Sequence, residues 1–226
     1  MGLFSFDSPF MSFLGKAAEY MILCLMCLLF SIPIVTAGAA ITAKYYVGMK
    51  LVRGEDTPFF RAYLKSFKDN FKQSTCIWLI EMAIGAFLAW DWYLIISTGV
   101  ENYNLVLRIL LFVVTAYLTM AAIVVFALVA RFEMTTKEAI KGALAYTYVN
   151  IPRMLFVVVL LVFPTAASMK YPNWLMAIWP VGSAACLYII SFNFVKSFAK
   201  LENRVLGVDE NLEESVVVED ETDSEM

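Results

Sequence analysis

The chain contains no histidine. That removes the commonest general base and the commonest metal ligand available near neutral pH. It also lacks a G-x-x-x-x-G-K-[ST] run, so it carries no phosphate-cradling loop of its own. Cysteine is scarce: Cys24, Cys27, Cys76 and Cys186 are the only four. Cys24-x-x-Cys27 has the spacing of a redox or zinc pair, but it lies in a charge-free run and has no second pair. It reads as small packing residues in a membrane helix. Charge is scarce too, at 16% of 226 residues, against roughly a quarter in soluble domains. A secretory leader is not expected, because no basic stretch opens the chain. Nor is N-myristoylation, because Phe6 stands where that signal needs Ser or Thr. No cofactor, no metal and no nucleic-acid partner are expected, and an enzyme is the reading with least support.

Apolar side chains take the place of charge. Hydrophobic residues make up 61% of the chain and aromatics 15%. They gather into five long stretches, within 20–43, 74–96, 105–130, 154–169 and 174–195. A run of about 20 apolar residues covers roughly 30 Å of hydrocarbon as a helix. In lipid only helices or closed barrels satisfy the backbone. The fold class is therefore all-α: a polytopic transmembrane bundle of about five spans, with amphipathic helices on the cytoplasmic side. Residues 1–204 form this one domain. Residues 205–226 form an acidic tail, because ten of the twenty acids lie from Glu202 onward, and that composition argues for disorder. Ser31-Ile32-Pro33 interrupts the first stretch, where Pro33 removes a backbone donor. Whether this span ends near 32 or near 43 stays open, and Ala37-Gly38-Ala39-Ala40 beyond it offers close helix packing.

The distribution of Lys and Arg sets an expected orientation. Seven lie in 44–72, four in 131–153 and three in 196–204, against Lys16, Arg108 and Lys170 on the other side. Five spans with this bias place the N-terminus outside and the C-terminus in the cytoplasm. Within the first basic segment, Phe60, Leu64, Phe67 and Phe71 repeat at helical spacing. Arg61, Lys65, Lys68 and Lys72 repeat one position later. An apolar stripe beside a basic one describes a helix at the cytoplasmic surface, touching anionic lipid or a partner protein. A weak echo links residues 53–73 to 131–153, with Asn70-Phe71 matching Asn150-Ile151, as two related halves would.

Ionisable groups at bilayer depth are costly and usually face a partner or water. Glu81 and Asp91 lie in the second span and Arg108 begins the third. Across the short intervening loop, Asp91 and Arg108 are expected to pair. Glu81 has no local partner in the sequence and is expected to face the bundle. The small-residue patches Gly85-x-x-x-Ala89 and Gly182-x-x-x-Cys186 read as helix contacts.

The residues from Gly2-Leu3-Phe4 to Asp7-Ser8-Pro9, then Ser31-Ile32-Pro33-Ile34-Val35-Thr36-Ala37-Gly38, Thr42-Ala43, Tyr45-Tyr46 and 66–73 resemble the YesL-like family of bacterial membrane proteins, a family of unknown function. The resemblance implies a small multi-span protein of the bacterial cell membrane. Its members are often encoded beside carbohydrate ABC importers, and it offers no catalytic or binding residues to carry over. The expected function is thus an integral membrane accessory that assembles with or regulates a carbohydrate ABC-type import system, its subunits being the partners. The alternative is a small solute transporter in its own right, using Glu81 in the bundle.

Overall fold

The computed structural model describes residues 9–55, 58–99, 104–170 and 172–205, with side chains described over 15–55, 58–99, 104–161 and 182–200. The acidic tail and the opening Gly2–Ser8 segment lie outside these. Eight α-helices and one 3-10 turn follow in order: α1 Pro9–Phe30, the turn Ile34–Thr36, α2 Ala37–Val52, α3 Phe59–Asp69, α4 Phe71–Thr98, α5 Leu105–Arg131, α6 Thr136–Val149, α7 Ile151–Lys170 and α8 Pro172–Val205.

The first apolar stretch is not one span. The chain breaks after Phe30 and α2 folds back along α1, so that the Tyr20 hydroxyl donates to the Gly48 carbonyl, 3.0 Å away. Pro33 supplies the physical reason, since a residue without an N–H cannot continue the helix. The break satisfies its own polar groups. Ser31 Oγ donates to the Cys27 carbonyl and Thr36 Oγ1 to that of Phe30, both at 2.6 Å. Trp78 Nε1, from α4, donates to the Ile34 carbonyl at 2.8 Å.

α2 is the centre of the molecule, packed against α1, α3, α4, α5 and α8. Its small residues make this possible: Ala37, Gly38, Ala39, Ala40, Thr42 and Ala43 are all buried. A Cβ on Gly38 would lie 2.5 Å from the Ser74 carbonyl oxygen of α4. One turn on, the Thr42 and Ser74 hydroxyls share a 2.8 Å hydrogen bond. α2 ends at Gly54, whose φ of +70° lets Glu55 N–H reach back to the Lys50 carbonyl. The Glu55 carboxylate then pairs with Lys50 and Arg53.

Among the described residues three stretches are long and apolar enough to cross a bilayer: Phe71–Thr98, Leu105–Arg131 and Gly182–Lys200. The pair Thr136–Val149 and Ile151–Leu161, bent by 100°, makes a fourth if taken as one broken span. The described residues thus hold three or four candidate crossings, beside the about five expected from the whole sequence. The Gly85 patch makes no close helix contact, since a Cβ on Gly85 would meet nothing within 4 Å. In the Gly182 patch the glycine is likewise open, and the contact is made by Cys186, whose thiol reaches the Leu160 carbonyl of α7 at 3.4 Å. Close approach belongs instead to Gly38 and to Gly48, which faces Ser191.

The helices α3 and α6 match their sequence echo in detail. Each ends at an asparagine whose backbone N–H and side-chain amide both donate to the carbonyl four residues earlier, Asn70 to Ser66 and Asn150 to Tyr146. Each asparagine carbonyl then accepts the N–H four residues on, from Ser74 and Met154, at 2.9 Å in both cases.

Replacing Gly38 by Ala forces α2 away from backbone, not from a movable side chain. The expected cost is about 1–3 kcal/mol. Gly85→Ala meets open space and gains helix propensity, so it should be neutral or stabilising by up to about 1 kcal/mol. Thermal unfolding of the two variants in mild detergent checks the contrast, and equal midpoints would contradict this account of α2.

Candidate functional site

Glu81 lies near the middle of the 28-residue α4. The hydrogen-bond register of α4 carries its side chain toward α5 and α6, where it lines a cleft of about 210 Å³. The other walls are apolar, including Ile77, Ile84, Leu118, Val125 and Leu144, with Thr119 the one hydroxyl. No described residue hydrogen-bonds or ion-pairs with the Glu81 carboxylate. The cleft opens sideways, since the apolar window of α4 is only 6% buried.

Asp91 and Arg108 do not come together as expected. No ion pair joins them, and Arg108 Nε is enclosed without a hydrogen-bond partner. The hairpin is tied instead by Trp92 Nε1, which donates to Thr115 Oγ1 at 3.2 Å. The helices are neighbours, as a short loop requires, but the polar tie is made two turns along α5 from Arg108.

The two-stripe helix is α3, except that it ends at Asp69, so Phe71 and Lys72 begin α4. The face α3 buries is offset from the stripe expected. Tyr63 and Ser66 are its buried residues, with the Tyr63 hydroxyl donating to the Ala40 carbonyl at 3.2 Å. Leu64, Phe67 and Phe71 are half-buried, while Phe60 is exposed. The Phe67 ring packs on Phe30, Tyr63 and Phe71. The four cations are exposed as the pattern implies: Arg61, Lys65, Lys68 and Lys72. α3 is thus fastened to α2 and presents its basic side outward. α6 does the same against α5, burying Ala139, Ala143, Tyr146 and Thr147 behind a Thr135–Glu138 capping box.

A second cavity was not foreseen. It measures about 280 Å³ and lies between α1, α2, α7 and α8. Cys24, Cys27 and Cys186 line it with Ser31, Ser183 and Lys44. Lys44 had been grouped with the cytoplasmic basic segment. Its placement straight after the small-residue run 37–43 was the available signal that it belongs to the bundle. All four cysteines are free thiols, and among the described residues no cluster of His, Cys, Asp or Glu is arranged to hold a metal ion.

Residues 19–92 match a family described as "Protein of unknown function, DUF624". This is about a third of the chain. It takes in α1 from Glu19, the break, α2, α3 and most of α4, and therefore both Lys44 and Glu81. No curated protein and no solved structure matches the chain. The match agrees with a membrane protein of unknown activity and supplies no chemistry.

Because no described residue holds the Glu81 carboxyl, replacing it should not harm the fold. Glu81→Leu is expected to raise stability in detergent by about 1 kcal/mol, since an unpartnered polar group leaves an apolar cleft. Glu81→Gln should be close to neutral. Thermal midpoints test this, and a marked loss of stability in Glu81→Leu would show that the carboxyl has a structural partner.

Proposed function

We propose that this protein is a non-enzymatic accessory of the cell membrane that engages a partner's transmembrane helix along its α4–α5 arm, within a carbohydrate import system. The observation that carries the reading is Glu81: an unpartnered acid in an apolar, laterally open cleft. An ionisable group at that depth calls for a complementary donor, and the chain provides none among its described residues. A helix from another subunit, carrying a hydroxyl, amide or cation at the right height, completes the cleft. Exposed Phe87, Trp90, Phe112 and Val113 would then flank the contact. The carbohydrate link, the YesL-like relationship and a bacterial cell-membrane location rest on the resemblance carried by the first 80 residues. The outward basic faces of α3 and α6 favour a cytoplasmic side rich in anionic lipid.

A second reading draws on the same cleft. If Glu81 meets a small solute rather than a helix, the protein is a transporter in its own right. The two readings separate by experiment. A photo-crosslinking residue at position 87 should capture a subunit of the neighbouring importer, and deletion of the gene should lower sugar uptake through it. Crosslinks to lipid alone, with unchanged uptake on every sugar that induces expression, would sink the accessory reading. Solute counterflow in vesicles holding only this protein would establish the transporter instead.

A further inference from the structure

The Lys44 cavity is separate from the Glu81 cleft and does not depend on the reading given to it. Lys44 sits on α2, the most enclosed helix, between buried Ala43 and Tyr45. Among the described residues no carboxylate lies within ion-pair reach of its ammonium. The nearest compensation is the Tyr45 ring, 5.4 Å from Nζ to centroid. A cation–π contact is worth about 0.5–2 kcal/mol, whereas an uncompensated charge in such surroundings costs several kcal/mol. The other polar groups of the cavity are thiols and hydroxyls, none of which carries negative charge at neutral pH unless perturbed. Leu28, Leu187 and Ile190 supply an apolar wall.

We propose that this cavity binds one oxyanion group, a carboxylate or a phosphodiester, borne on an apolar body. Lys44 provides the counter-charge, as a point charge rather than a bidentate clamp. Ser31 and Ser183 make the wall beside Lys44 polar, and the leucines take the first carbons. A volume of about 280 Å³ lies just under the usual range for small-molecule sites. The remainder of a longer chain therefore extends into the surrounding bilayer. The occupant is an anionic lipid or a soluble amphiphilic acid, two sources of one chemistry.

Three thiols in the cavity report its occupancy, and Cys76, exposed on α4, serves as the internal control. The full-length protein is placed in phosphatidylcholine nanodiscs, in discs containing phosphatidylglycerol, and in phosphatidylcholine discs with added dodecanoate. Alkylation of each cysteine by N-ethylmaleimide is followed by peptide mass spectrometry. Reaction at Cys24, Cys27 and Cys186 should slow by about fivefold or more when the site is filled, with Cys76 unchanged. Slowing with phosphatidylglycerol assigns the lipid, and slowing only with dodecanoate assigns the soluble acid. Lys44→Met should abolish the protection and Lys44→Arg should keep it. Equal rates in all three preparations, slowing that includes Cys76, or protection that survives Lys44→Met would each overturn the proposal. If Lys44→Met does not accumulate, the wild-type comparison decides alone.

Discussion

The bundle depends on how closely α2 can be approached. In lipid there is no hydrophobic drive between apolar helices, so association rests on van der Waals contact and interhelical hydrogen bonds. Gly38 lets the α4 backbone come into direct contact, and the Thr42–Ser74 pair fixes the height at which the helices cross. Gly48 does the same for α8. Where helices touch α2 the packing is dense, and the second half of α5 is buried almost continuously from Met120 to Ala130. Where they leave it, as in the far halves of α4 and α5, the apolar side chains face outward.

Two ionisable side chains line cavities of the bundle. Glu81 lies on α4 facing α5 and α6, and Lys44 lies on α2 facing α1 and α8. They line different cavities, so neither neutralises the other. Leucine at either position would be the choice for stability alone, because a buried ionisable group seldom repays its desolvation. In the readings proposed above, a partner helix and an oxyanion supply the missing donor and charge.

Helix content, membrane class and the basic amphipathic segments were legible because 3.6-residue periodicity and charge asymmetry are local properties. The Asn70–Asn150 echo was visible in the sequence, but not that each asparagine ends a helix. Three further features were not legible. Ser31-Ile32-Pro33 marked the break after Phe30, but the return of α2 along α1 is set by partners distant in the chain. The buried face of α3 is set by Tyr63 and Ser66, an amphipathic tyrosine and a small polar residue that a hydrophobic stripe search passes over. The Lys44 cavity needs Ser183 and Cys186 from the far end of the chain, and no periodicity encodes that proximity. The Asp91–Arg108 pairing failed because loop length fixes which helices are neighbours but not their rotation.

The break between α1 and α2 bears on how the molecule is assembled. One of its carbonyls, that of Ile34, relies on an indole donor 44 residues further along the chain. During synthesis the first apolar stretch therefore emerges before the residue that secures its reversal. A nascent chain ending ahead of Trp78 has the apolar length of one crossing and lacks that fastening. Topology maps built from truncated reporter fusions would accordingly describe an intermediate of membrane insertion, while the finished protein carries the opposite bend.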